Sequence, residues 1–135
     1  MTIINELAFD FDVEEDDFNL EATLDGMWVC RALGTREGDR LRLEDMQVRP
    51  DVEVPKALLK QVGTLRGNKI GTEVLRRFLR RADAEGVREI FGSVTQKDIE
   101  ENRDLLGWYR REGFEVTVPD GDCLDHAGHK IVRRR

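Results

Sequence analysis

Cysteine, histidine and proline are scarce in this 135-residue chain, with two, two and three copies, and tyrosine occurs once. Two cysteines, Cys30 and Cys123, are too few for the disulfide framework that holds small secreted domains together. No apolar run approaches membrane-span length, and the amino terminus lacks the basic and then apolar layout of a secretory signal. A soluble, cytoplasmic protein with no membrane partner is therefore expected. A formal charge of −6 argues against a nucleic-acid binder. Cys123, His126 and His129 offer donor atoms at three-residue spacing, but no fourth ligand accompanies them, so no metal is expected. The terminal Arg133-Arg134-Arg135 reads as a solvated tail.

What the chain does have is charge, unevenly placed. Nine acidic residues and no Lys or Arg lie between Glu6 and Asp25, whereas seven basic residues and only Glu73 lie between Lys60 and Arg81. A polyanion would prefer the second region and an amine the first. Each run also has a plainer reading as a solvated face.

The length suits a single domain spanning 1–135. Residues 2–9 are expected to form a first strand, followed by an acidic loop through Asp17. Asp25-Gly26 divides Phe18–Leu24 from Met27–Leu33 and suggests a hairpin, with a bulge inside one long strand as the competitor. A turn over Gly34–Asp39 leads to Leu41–Val48. There Leu41, Leu43, Asp45 and Gln47 should share one face and Arg42, Glu44, Met46 and Val48 the other. Neither face is apolar, which suggests an edge strand or one beside a polar cleft. Pro55 is placed to start a short helix through Val62.

A longer helix is clearer. Ile70, Val74, Leu75, Phe78, Leu79 and Ala82 recur at helical spacing, and Gly86 closes the run. Val87–Val94 reads as a strand. Asn102 can cap a further helix containing Leu105, Leu106, Trp108 and Tyr109, stopped by Gly113 with Phe114 as the hydrophobic contact after it. Phe114–Val118 and His129–Val132 follow as strands. Alternating strands and helices imply an α/β layer structure, and the hairpins before them make the sheet mixed.

Two motifs carry chemistry: the Gly-rich turn Arg66-Gly67-Asn68-Lys69-Ile70-Gly71 at a helix start, and the stretch from Asn102 through Gly107-Trp108-Tyr109 to Gly113-Phe114. A helix start presents unpaired N–H donors to phosphate oxygens. Together the motifs resemble the acyl-CoA-binding core of the GCN5-related N-acetyltransferase (GNAT) superfamily. The resemblance implies a mixed sheet, flanked by helices, that splays between Leu41–Val48 and Val87–Val94. It implies acetyl-CoA as cofactor, its pyrophosphate surrounded by Arg66, Gly67, Asn68, Lys69, Ile70, Gly71 and Thr72, with Asn102 a further contact. It also implies transfer of the acetyl group to a primary amine by direct attack.

Transfer to an amine needs a proton for the departing thiolate, a polarised carbonyl and a proton acceptor. The resemblance gives the first task to Tyr109 and the second to a strand N–H near Met46 to Val48. Glu44 or Asp45 could take the amine proton directly or through water; they point to opposite faces of the strand, so at most one should face the cleft. The acceptor would be a small-molecule amine or a basic peptide amine. Two departures stand out: Lys69 where the family's first Gly is usual, and an inserted segment around 50–65. The acidic amino-terminal region is also shorter than the helices that often wall the acceptor site, so a homodimer neighbour could complete it. Lys69 in place of the family Gly and the abbreviated acceptor region also fit the alternative, a noncatalytic CoA-binding or regulatory module of the same fold.

Overall fold

The computed structural model describes residues 7–49, 56, 69–117 and 129–134. The seven described strands form one sheet in the order β1-β2-β3-β4-β5-β7-β6. They are β1 (Ala8–Glu14), β2 (Asp17–Leu24), β3 (Met27–Glu37), β4 (Arg40–Val48), β5 (Glu89–Val94), β6 (Glu115–Thr117) and β7 (His129–Arg134). The described helices are α1 (Ile70–Ala84), α2 (Gln96–Glu101) and α3 (Leu105–Arg111). All neighbouring strands are antiparallel except β4 and β5, so the sheet is mixed as expected.

The expected acidic loop is largely strand. β1 runs from Ala8 to Glu14 because its acids alternate with apolar residues: Asp10, Asp12 and Glu14 are exposed, while Phe9, Phe11 and Val13 pack against the core. A run of charge thus occupies one face of a strand without disturbing the other. The chain then reverses through only Glu15 and Asp16 into β2. The next reversal is the predicted hairpin. Asp25 and Gly26 have φ of 50° and 81°, the two positive values that a primed two-residue turn needs.

The turn expected over Gly34–Asp39 is shorter, because β3 continues to Glu37 and reverses at Gly38 and Asp39. Gly34 serves packing inside the strand. A Cβ there would lie 2.9 Å from Cζ of Phe78 and 3.0 Å from the Arg42 carbonyl oxygen. Phe78 uses that space to reach the centre of an aromatic group, stacked on Phe11 at 6.0 Å and edge-on to Phe18 at 6.3 Å.

All six apolar positions predicted for α1 are buried, and this face packs on β2, β3 and β4. Its arginines are occupied locally. Arg77 lies 3.8 Å over the Phe9 ring and pairs with Glu73, Arg81 covers Phe11 and pairs with Glu85, and Arg76 pairs with Glu112. Arg77 and Arg81 thus cover the aromatic rings of β1, each cation–π contact contributing about 0.5–1 kcal/mol. Gly86 ends the helix at φ 84°, where Val87 N–H reaches the Ala82 carbonyl and Gly86 N–H that of Asp83.

Arg133 and Arg134 are not a solvated tail. Both belong to β7, paired with Ile90 and Glu89 of β5. Arg133 forms a two-pronged contact with Asp83 of α1 at 2.8 and 3.0 Å, and Arg134 lies near Glu89 and Glu115. Arg135, the short helix expected after Pro55 apart from the exposed helical Lys56, and Cys123 and His126 lie outside the described residues. Among the described residues no group of His, Cys, Asp or Glu is arranged to hold a metal, and no helix is long and apolar enough to cross a membrane.

Gly34→Ala is expected to lower stability by about 1–3 kcal/mol, because Phe78 or the β4 backbone must shift. Gly71→Ala, whose Cβ would meet nothing closer than 3.4 Å, should leave the melting temperature nearly unchanged. Thermal unfolding of the two variants checks the contrast; equal losses would contradict it.

Candidate active site

β4 and β5 pair in parallel through Arg40–Arg42 and Glu89–Phe91 and then separate. The register change on β4 lies just beyond. Gly34 of β3 faces Leu43, Leu33 faces Asp45, and Glu44 is passed over as a bulge. Cross-strand partners share a face, so the alternation predicted for β4 holds only up to Leu43. Beyond the bulge, Met46 and Val48 stand opposite Ala32 and Cys30 and join the side of Leu41 and Leu43 that α1 covers. β4 is therefore a central strand bordering a polar opening, not an edge.

The opening is a cavity of about 410 Å³. Glu44, Asp45, Met46 and Val48 line it from β4, Lys69, Gly71 and Thr72 from the start of α1, and Ser93 and Val94 from β5. Asp98, Asn102, Asp104, Trp108 and Tyr109 close it from α2, α3 and the turn between them. Both carboxylates of β4 border the cavity. The expectation that at most one would do so fails because the bulge breaks the strict alternation.

Lys69 has φ 59° and ψ 26°, the left-handed conformation that a glycine adopts freely. A side chain there costs about 1–2 kcal/mol. The departure from Gly therefore falls on a backbone position for which glycine is the natural choice. Ahead of the Glu73 N–H, which bonds to the Lys69 carbonyl, the first N–H groups of α1 have no partner within the helix. The Ile70 side chain is buried in the core, so only its backbone is available to a ligand. Arg66, Gly67 and Asn68 lie outside the described residues.

Tyr109 is 6% exposed, between Trp108 at 4.9 Å and Phe114 at 5.3 Å between ring centres. Burial, reinforced by the negative charges of Asp98 and Asp45, pushes its phenol up to about 12. The phenol thus keeps its proton throughout the neutral range. The predicted end of α3 is present: Gly113 has φ 97°, Phe114 N–H reaches the Tyr109 carbonyl and Gly113 N–H that of Arg110. This cap seats Phe114 against the Tyr109 ring.

The N–H of Met46, expected to be available to a carbonyl, donates to Oδ1 of Asp45 at 2.9 Å. Asn102 does not cap α3. It is the C-cap of α2, a helix the periodicity did not reveal, and its Oδ1 accepts from Asp104 N–H at 3.3 Å. Asp104 becomes the N-cap and α3 starts at Leu105, because the Asn102 side chain holds an intervening turn. The missed helix carries Asp98, a cavity residue that sequence reasoning passed over. Its signal was present in Thr95-Gln96-Lys97-Asp98. The Thr95 hydroxyl accepts from Asp98 N–H while the Asp98 carboxylate accepts from Thr95 N–H, a reciprocal helix start.

A search against family models finds no match to the sequence, and no curated protein matches it. Solved structures match the arrangement of its backbone. A PaiA N-acetyltransferase from Thermoplasma acidophilum, in complex with coenzyme A, superposes with a TM-score of 0.63 at 17% identity, over 89% of this chain and 62% of its own. An acetyltransferase of the GNAT family from Staphylococcus aureus gives 0.60 at 14%, over 88% and 68%. The ribosomal-protein-S18-alanine N-acetyltransferase of Escherichia coli gives 0.59 at 18%, over 89% and 68%. The chain has the GNAT fold. It spans less than two thirds of the Thermoplasma structure's length.

Tyr109 is the only tyrosine, so absorbance of the tyrosinate band reports it alone. In the folded protein the band should appear near pH 12, against about 10 once the chain is unfolded. The unfolded chain then loses its proton first, so this contribution to stability is complete below pH 10 and falls as pH rises towards 12. Titration of the folded protein near 10 would contradict the buried phenol.

Proposed function

We propose that the protein transfers an acetyl group from acetyl-CoA to a primary amine by direct attack in a ternary complex. The observation that carries this reading is the single cavity in which the parted β4 and β5, the start of α1 and the Tyr109 phenol meet. Acetyl-CoA brings the acetyl group as a thioester and a polyanionic phosphate end. The residues present suit both. Lys69 borders the cavity beside unpaired helix N–H groups, and Gly71 lines it at the first turn.

The remaining steps belong to this chain's own side chains. Tyr109 holds a proton at its Oη and is placed to release it to a departing thiolate. Met46 N–H is the donor on β4 suited to a carbonyl oxygen, with Asp45 as its present acceptor. Once released from Met46 N–H, the Asp45 carboxylate would be free to take a proton from the amine directly or through water. Glu44, on the bulge beside it, is the other acceptor of that proton. Asp45, Glu44 and Asp98 together make the cavity electronegative, which favours a cationic acceptor, whether a small-molecule amine or the amine of a basic peptide. No side chain on this route is a thiol nucleophile. Cys30 is buried, and that burial pushes its thiol up to about 12.

One feature favours a second reading, a CoA-binding or regulatory module without turnover. The tight β1–β2 reversal leaves no helix between those strands to wall an acceptor. The two readings separate on Tyr109. With acetyl-CoA and a panel of amines, the protein should release CoA only when an acceptor is present. Tyr109→Phe should lower turnover by about 10²-fold or more while acetyl-CoA affinity stays within about twofold. Undiminished turnover would remove the phenol from the mechanism, and acetyl-CoA binding without turnover on any amine would favour the module.

A further inference from the structure

Tyr109 sits on a helix that cannot hold itself in place. α3 has seven residues, and its N-cap Asp104 makes no side-chain cap bond. An isolated helix of that length does not persist in water. Besides its packing on β6 and the Tyr109–Phe114 ring contact, a pair of contacts ties it to α1. Trp108 Nε1 donates to Thr72 Oγ1 at 2.8 Å, and Arg76 donates to both carboxylate oxygens of Glu112 at 2.9 and 3.0 Å. Each contact joins residues 36 apart. Thr72 and Arg76 are one turn apart on α1, as are Trp108 of α3 and Glu112, its C-cap. The two contacts therefore follow the same chain direction on both helices and tie them at two successive turns.

The lock's position gives it a consequence. Thr72 is in the first turn of α1, beside the cavity, and the Trp108 ring approaches the Cβ position of Gly71 at 4.0 Å on one side and the Tyr109 ring on the other. We propose that Thr72–Trp108 and Arg76–Glu112 form a two-rung clamp that sets the register of α3 against α1. The clamp thereby fixes the distance between the Tyr109 phenol and the cofactor end of the cavity. Trp108, Arg76 and Glu112 are positioning residues that act through Tyr109. A slip of one helical turn would carry the phenol about 5.4 Å along α1 and out of reach of a reacting sulfur. The upper rung is a neutral hydrogen bond between half-buried groups. The lower rung is a charge-assisted fork of a kind that tolerates little change in angle.

The functional part of this inference rests on the proposed transferase activity; the geometric part does not. Glu112→Arg, with like charges on the lower rung, should lower kcat about tenfold and leave KM for acetyl-CoA within about twofold. Adding Arg76→Glu restores opposite charges in the same places and should recover most of the lost kcat. A single variant that loses only melting temperature, or a double variant that recovers nothing, would overturn the positioning role. Independent of turnover, Trp108→Phe and Thr72→Val each remove the upper rung without changing charge. With far-UV circular dichroism preserved, both should move the tyrosinate titration of Tyr109 down from about 12 towards its ordinary value. An unchanged titration in both would overturn the clamp even in a protein that turns over no amine, and a shifted one would uphold it there.

Discussion

The site depends on where one pair of parallel strands stops pairing. β4 and β5 share backbone bonds through three residue pairs and then separate, and the bulge at Glu44 begins where the pairing ends. A bulge bends its strand and increases the local twist, so β4 cannot continue beside β5 while staying paired with β3. Backbone polar groups on the inner edges of the gap are left to side chains or to a ligand. Met46 N–H takes Asp45. The same bulge places Met46 and Val48 under α1 while leaving Glu44 and Asp45 at the opening, so one irregularity supplies the cleft, its apolar wall and its carboxylates.

Around that gap, strain and burial depart from what stability alone favours. Lys69 occupies a left-handed position that a glycine would occupy without cost, and it does so at the lining of the cavity. Tyr109 is the reverse case: a hydroxyl-bearing ring is buried against Trp108 and Phe114, and the cost of ionising it there keeps it protonated. The nearby carboxylates of Asp45 and Asp98 strengthen that effect and also make the cavity receptive to a cation.

Much of this was legible in the residues. The spacing of Ile70, Val74, Leu75, Phe78, Leu79 and Ala82 named the buried face of α1 because helical periodicity is local and strong. Asp25-Gly26 and Gly113-Phe114 were readable for the same reason, since each turn or cap is built from adjacent residues. The misses share another cause. The acidic residues of β1 hid a strand because alternation with Phe9, Phe11 and Val13 carried less weight than the total charge. The β4 bulge was invisible because register depends on the partner strand. Asn102 was read as the cap it resembles, while the reciprocal Thr95–Asp98 pair that starts α2 seven residues earlier went unread. Arg133 and Arg134 look like a tail in sequence and become strand residues only through partners some fifty residues away, Asp83 and Glu89.

The most direct test of the account is a crystal structure with acetyl-CoA bound. The pantetheine arm should lie between the parted β4 and β5, with phosphate oxygens on the N–H groups at the start of α1 and Lys69 at the rim. The sulfur should lie towards Tyr109, with the Asp45 carboxylate moved off Met46 N–H. Acetyl-CoA bound outside the gap, or a gap closed by continued β4–β5 pairing while the ligand is held elsewhere, would contradict it.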